Sequence, residues 1–128
     1  MREIASIALG GALGAVSRYA ASTFTHRLLG TAFPYGTLLV NVLGCLIIGF
    51  IMHLSMSTDL LPRTVRIAAT IGFLGAFTTF STFGWETLQY IEDGAWIPAL
   101  LNAAANLILC LAAVWTGVML ARTFVGAS

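Results

Sequence analysis

Charge is what this sequence lacks most. Only 9% of its 128 residues are charged and 59% are hydrophobic, whereas a soluble domain typically carries about 25% charged residues. Lysine is absent, and the six basic residues are arginines spread along the chain. A formal net charge of +1 leaves no polyanion-binding patch, so we do not expect nucleic acid as a partner.

Cysteine and catalytic groups are equally scarce. Cys45 and Cys110 lie inside apolar runs, away from any CxxC or Cys/His spacing, so we interpret both as small buried thiols. No set of nucleophile, general base and metal ligands converges within the apolar runs. The sequence therefore does not predict an enzyme.

Long apolar runs are what the sequence has instead. Four runs of about 20 residues or more are long enough to cross a bilayer core of about 30 Å as helices, and we predict these helices at about 3–24, 35–56, 64–90 and 96–124. The first run is too long for the core of a signal peptide and has no clear cleavage site, so we keep it as a mature helix. The predicted fold class is an all-α membrane protein, with residues 1–128 as one integral membrane domain.

The third run contains the most unusual segment, residues 72–83 with the sequence GFLGAFTTFSTF. Glycine costs a helix about 1 kcal/mol relative to alanine, and threonine adds a smaller penalty, so two glycines and a Thr-Thr pair indicate a break. A run of about 27 residues would also reach about 40 Å as a straight helix, which is long for one span. Because freed carbonyls are costly in hydrocarbon, we expect this break beside a cavity or an ion. A kinked helix packed by ordinary phenylalanines is the alternative.

Polar side chains recur at helical spacing in two other runs. Thr37 and Asn41 share one face of the second helix. Asn102, Asn106 and Cys110 recur every four residues in the fourth, and we call these three residues the polar track. They favour a polar pathway, and ordinary hydrogen bonds between helices are the alternative interpretation.

Counting from the helix ends places most of these groups near one leaflet, because successive helices alternate in direction. Arg18 and Glu86 fall at this same depth, so we predict that they form a structural ion pair. One copy supplies polar groups to only one half of the membrane, and an inverted second copy would supply the other. The arginines are distributed only slightly unequally between the two sides of the membrane. Their distribution therefore leaves open either a cytoplasmic amino terminus or dual insertion.

Three segments resemble the signatures of a family of small fluoride channels called Fluc or CrcB, and the resemblance spans nearly the whole chain. They are Gly10-Gly11 with Gly14-Ala15 and Arg18-Tyr19, then Gly36-Thr37-Leu38 with Val40-Asn41 and Gly44, then residues 72–83 ending in Thr-Thr-Phe-Ser-Thr-Phe. The resemblance implies an antiparallel, dual-topology homodimer of four-helix subunits in the inner (plasma) membrane. Its two narrow pores would pass fluoride passively out of the cell.

The same resemblance implies roles for individual residues. Asn41 corresponds to the family's pore asparagine, and Phe80 and Phe83 correspond to two rings that line the anion path. Gly75 and Thr78 match the break whose backbone carbonyls, from both subunits, hold a central structural sodium ion.

Fluoride is a small, strongly hydrated anion, so hydrogen-bond donors in the pore must replace its water. The positive edge of a phenyl ring contacts the anion weakly enough for it to leave. Besides the Asn41 amide, the expected donors are Thr37, Ser81, Thr82, Asn106 and Cys110. The fourth helix departs from the family, because Asn102, Asn106 and Cys110 replace a tyrosine or serine track and a thiol is a weaker donor.

Two other functions compete with the channel. A dual-topology multidrug exporter has a similar size but needs a carboxylate deep in its first helix, where the only acid here is Glu3 at the very start. A non-conducting structural subunit would need neither an ion-satisfied break nor amides facing a pore.

Overall fold

Helices form almost the whole chain in a computed structural model, which describes residues 1–126. In that range α1 spans Arg2–Leu29 and α2 spans Tyr35–Ser57. The third span consists of α3 (Arg63–Ile67), a π-helical segment (Ala68–Leu74), α4 (Gly75–Phe77) and α5 (Phe80–Glu92), and α6 spans Trp96–Gly126. Four stretches are long and apolar enough to cross a membrane, namely Arg2–Leu29, Tyr35–Ser57, Arg63–Glu92 and Trp96–Gly126. The predicted set of four membrane-length helices is confirmed.

The largest difference in helix bounds is at the end of α1. The sequence prediction ended this helix near residue 24 because His26 and Arg27 resemble a polar link. In the structure both residues form the last turn, where basic side chains interact favourably with the helix dipole. The helix ends at Leu29, and the next residue, Gly30, has φ +80° and donates its N–H to the His26 carbonyl at 2.9 Å.

The third span loses its helical backbone at two adjacent threonines. Thr78 has φ −83° and ψ 159°, and Thr79 has φ −151° and ψ 115°, so both are extended. Thr79 then caps α5, because its Oγ1 accepts a hydrogen bond from Thr82 N at 3.2 Å. The chain therefore leaves one helix at Phe77 and enters the next at Phe80.

Glycines let α1 approach the π-helical segment closely. A Cβ atom added to Gly10 would overlap the Ala68 carbonyl, and one added to Gly14 would overlap the Phe73 carbonyl. Small residues allow such backbone approach between membrane helices. Gly10 and Gly14 of α1 therefore pack directly against the backbone of the third span.

Helices α2 and α6 run in the same direction, and two contacts between them share one sequence offset. Asn41 pairs with Asn106, 65 positions later in the sequence, and Gly49 faces the Val114 carbonyl at the same offset. Because the residue numbers of both partners increase from one contact to the next, the two helices run in the same direction. The segment of α2 between Asn41 and Gly49 therefore packs beside the segment of α6 between Asn106 and Val114.

Candidate ion pathway

Asn41 bridges the break in the third span. Its Oδ1 accepts from Thr79 N at 2.8 Å, and its Nδ2 donates to Thr79 O at 3.1 Å. One side chain thus satisfies both backbone groups of a residue that has left the helix, and an unsatisfied buried group of this kind costs about 1–3 kcal/mol. Asn41 therefore holds the break in place.

The geometry of the break removes helical donors from two carbonyls. In an uninterrupted helix the Gly75 carbonyl would accept from Thr79 N, which here donates to Asn41. The Thr78 carbonyl would accept from Thr82 N, which here donates to Thr79 Oγ1. Gly75 and Thr78, the predicted ion-binding pair, are thus the two residues whose carbonyls lose their regular partners to these side chains.

A chain of amides continues from Asn41 along α6. Asn41 Nδ2 also donates to Asn106 Oδ1 at 3.0 Å, and Asn106 Nδ2 donates to both Oδ1 and the carbonyl of Asn102 at 3.1 Å. Asn102, which is fully buried, donates to Thr87 Oγ1 at 2.9 Å. This amide relay, Asn41–Asn106–Asn102–Thr87, connects α2, α6 and α5.

Glu86 has a different partner from the one expected. Thr37 Oγ1 donates to Glu86 Oε1 at 2.7 Å, whereas Oε2 is buried and lacks a hydrogen-bond partner among residues 1–126. Among residues 1–126 of the single chain, the salt bridge found is Arg63–Glu3 at 3.1 Å and not the predicted Arg18–Glu86 pair. The reason is packing: α5 lies against α6 and α2, and Arg18 lies on α1, which packs against α2 and the first half of the third span.

The break, the amides and two phenyl rings line one cavity of about 620 Å³, the main cavity. Phe80 and Phe83 lie with their ring centroids 5.3 Å apart, and Phe80 is 81% exposed in the single chain. Of the residues singled out from the sequence, the lining includes Asn41, Gly75, Thr78, Phe80, Phe83, Asn106 and Cys110.

The other candidate residues lie outside this lining. Thr37 is buried on the side of Glu86, which lines a second, smaller pocket of about 310 Å³ with His26 and Tyr90. Ser81 and Thr82 are exposed at the start of α5, where their hydroxyls contact Thr79 Oγ1 at 3.3 and 2.9 Å. The structure thus gathers seven of the candidates and leaves these three at the edges.

Sequence reasoning missed two residues and misjudged two others. Thr79 is central to the break, and a threonine three residues before Thr82 is a recognisable capping signal. Thr87 ends the amide relay without any sequence signal. Cys45 and Cys110 were predicted to be buried, and they are instead half-buried in the wall of the main cavity.

Comparison with known proteins identifies the family of this chain. A family model described as CrcB-like protein, Camphor Resistance (CrcB), matches residues 5–118. A protein of Geobacter metallireducens named Fluoride-specific ion channel FluC is 50% identical over 122 residues, which cover 95% of this chain and 98% of that protein. Proteins of the same name from Pelobacter propionicus and Dehalococcoides mccartyi strain BAV1 are 45% and 49% identical, over 98% and 94% of this chain and 97% and 92% of theirs. The chain belongs to the CrcB family, and it is a multi-pass membrane protein rather than an enzyme.

Proposed function

We propose that this protein is a fluoride-selective ion channel, which lets fluoride leave the cytoplasm passively and so lowers its toxic concentration there. Relatives named as fluoride-specific ion channels share 45–50% identity with nearly the whole chain. The observation that carries the proposal is the main cavity, where Asn41, the interrupted backbone and two phenyl rings meet. A non-conducting structural subunit would have no need of this convergence.

The cavity wall offers the weak, replaceable contacts that conduction needs. The edges of Phe80 and Phe83 carry partial positive charge and contact an anion without binding it tightly. The Asn41 amide would exchange its bond to Asn106 Oδ1 for one to the anion. Thr37, Ser81, Thr82, Asn106 and Cys110 supply further donors before and after this point.

An antiparallel homodimer would cover a polar, irregular part of the single chain's surface that lipid does not tolerate. Phe80, Ser81 and Thr82 are exposed at the break, and Gly75 is exposed beside its freed carbonyl. Lipid does not tolerate irregular backbone and unpaired polar groups at membrane depth. A second, inverted copy would cover this surface mid-membrane, and the dimer would then contain two pores.

A sodium ion at the centre of that dimer fits the donors that the break supplies. Gly75 and Thr78 would hold it through neutral carbonyl oxygens, which suit a hard cation. When bound, the ion would supply positive potential near the anion path.

A proton-coupled exporter is the weaker alternative. Its mechanism needs a deep carboxylate in α1, and Glu3 in the first turn of α1 is instead bound to Arg63. The acidic group that such an exporter would use is therefore missing from the interior of α1.

Recording in a planar bilayer tests the proposed function. With fluoride and chloride gradients imposed in opposite directions, the current should reverse near the fluoride equilibrium potential and should not shift when a pH gradient is added. A reversal potential that follows chloride, or one that follows the proton gradient, would contradict a passive fluoride channel.

Dual insertion and sodium binding have separate tests. In a background with both native cysteines replaced by serine, an impermeant maleimide should label about half of a cysteine introduced at exposed Glu92. Complete labelling or none would indicate a single orientation. Exchanging sodium for N-methylglucamine should lower both fluoride flux and the dimer fraction, and unchanged values of both would exclude the structural sodium ion.

A further inference from the structure

The register of α2 against α6 brings the two cysteines together. Cys45 lies one helical turn after Asn41, and Cys110 lies one turn after Asn106. They share the offset of the Asn41–Asn106 hydrogen bond and lie between it and the close approach of Gly49 to Val114. The same offset therefore places the Cys110 side chain beside that of Cys45 in the wall of the main cavity.

This thiol pair is accessible from the main cavity. Both residues are free cysteines, half-buried, and part of the cavity lining. The wall around them is mainly apolar and includes Ile48, Leu107 and Leu111, and the amides of Asn41 and Asn106 lie one turn before the two thiols. An ion or reagent that enters the cavity therefore meets two sulfur atoms on an apolar surface.

The donors at this point select a narrow class of ligand. The cavity lining contains neither carboxylate nor imidazole, and residues 1–126 hold no cluster of three or more His, Cys, Asp or Glu that would suit a higher-coordinate metal. Thiolates select soft metal ions, and hard ions prefer oxygen. Two facing thiols without a third ligand suit an ion that accepts two-coordinate binding.

We propose that Cys45 and Cys110 together bind one soft, two-coordinate metal ion of the Cu(I) or Hg(II) class, and that the bound ion blocks the main cavity. With Hg²⁺, two S–H bonds are replaced by two S–Hg bonds and two protons leave for solvent. No electron is transferred, so the step needs no oxidant. The Hg(II) bis-thiolate is neutral overall, which suits an apolar wall, whereas the Cu(I) bis-thiolate carries one negative charge. The block rests on the proposed function, whereas the metal site does not.

Binding is measured with purified wild-type protein in detergent. Hg²⁺ is titrated in the presence of excess glutathione, and protein-bound mercury is measured after the protein is separated from the glutathione complex. Because the second thiol acts at high effective concentration, the wild type should hold Hg²⁺ at least about 100-fold more tightly than either Cys45→Ser or Cys110→Ser. Each variant is used only if it elutes as a folded dimer. A serine variant that does not is replaced by the corresponding alanine variant, Cys45→Ala or Cys110→Ala. Equal affinity in the wild type and both single variants would overturn the site.

Blocking is measured as fluoride efflux from liposomes, with each variant compared with its own metal-free flux. One Hg²⁺ per chain should abolish wild-type flux, and a dithiol should restore it. Glutathione should restore flux in the single variants but not in the wild type. Tight binding with undiminished flux would overturn the block. Absence of flux in metal-free wild type would instead reject the proposed function, and the titration would still decide the metal site.

Discussion

Asn41 and Thr79 form a reciprocal pair, in which one carboxamide accepts the N–H and donates to the carbonyl of the same residue, at 2.8 and 3.1 Å. This pairing resembles the exchange of hydrogen bonds between neighbouring β-strands. It allows two extended residues to interrupt the third span without leaving the polar groups of Thr79 unsatisfied.

Replacing Asn41 by aspartate tests this pairing. Asp keeps the acceptor for Thr79 N but loses the donor to Thr79 O and to Asn106 Oδ1, and it adds a negative charge to the cavity wall. We expect fluoride flux to be abolished and the dimer to remain assembled, with stability lower by about 1–3 kcal/mol. Liposome efflux and thermal unfolding in detergent measure the two effects.

Thr123→Asp is the matched control, because it adds the same charge at an exposed position near the end of α6. It should change neither flux nor dimer assembly. Full flux in the Asn41→Asp variant would remove Asn41 from the pathway.

The amide relay predicts an unequal effect of two similar substitutions. Thr87→Val removes the oxygen that accepts from buried Asn102, so an amide donor is left unsatisfied at a cost of about 1–3 kcal/mol. Thr116→Val removes a hydroxyl that is exposed and bonds only to the carbonyl of Ala112 on its own helix, so we expect a change within about 0.5 kcal/mol. Equal midpoints of thermal unfolding for the two variants would show that the relay contributes nothing.

The partner of Glu86 is tested by a double-mutant cycle. Thr37→Val and Glu86→Gln should show a coupling energy of about 1.5–3 kcal/mol in unfolding measurements, the usual range for a hydrogen bond to a charged group. Arg18→Gln and Glu86→Gln should show coupling near zero, because the two side chains are not paired in the chain. The reverse pattern would restore the ion pair predicted from the sequence.

Close packing of α2 on α6 predicts opposite effects at two glycines. A Cβ at Gly49 would overlap the Val114 backbone, so Gly49→Ala should force the helices apart and destabilise the protein by about 1–3 kcal/mol. A Cβ at Gly84 meets nothing within 4 Å in the chain, and Gly84→Ala should be neutral or stabilise α5 by up to about 1 kcal/mol. A stable Gly49→Ala variant with unchanged metal binding at Cys45 and Cys110 would contradict the register.

The sequence predicted the elements better than their contacts. Hydropathy and length define the four spans, because lipid imposes both on every segment that crosses it. The Thr-Thr pair and the glycines identified the region of the break by local propensity. In contrast, the choice of Thr37 rather than Arg18 as the partner of Glu86 depends on which helices pack together. The facing of Cys45 and Cys110 likewise depends on helix register, which side-chain spacing on one helix does not define.

Fluoride efflux from liposomes is the most direct measurement of the central claim. Purified protein is reconstituted, and release is recorded with a fluoride electrode beside a chloride electrode, for the wild type, Phe80→Ile and the matched control Phe24→Ile, whose ring is exposed on α1. A fluoride channel along the main cavity predicts rapid fluoride release without chloride release in the wild type and in Phe24→Ile, and its loss in Phe80→Ile. Well-folded wild-type dimers that release no fluoride, or release chloride equally fast, would contradict it.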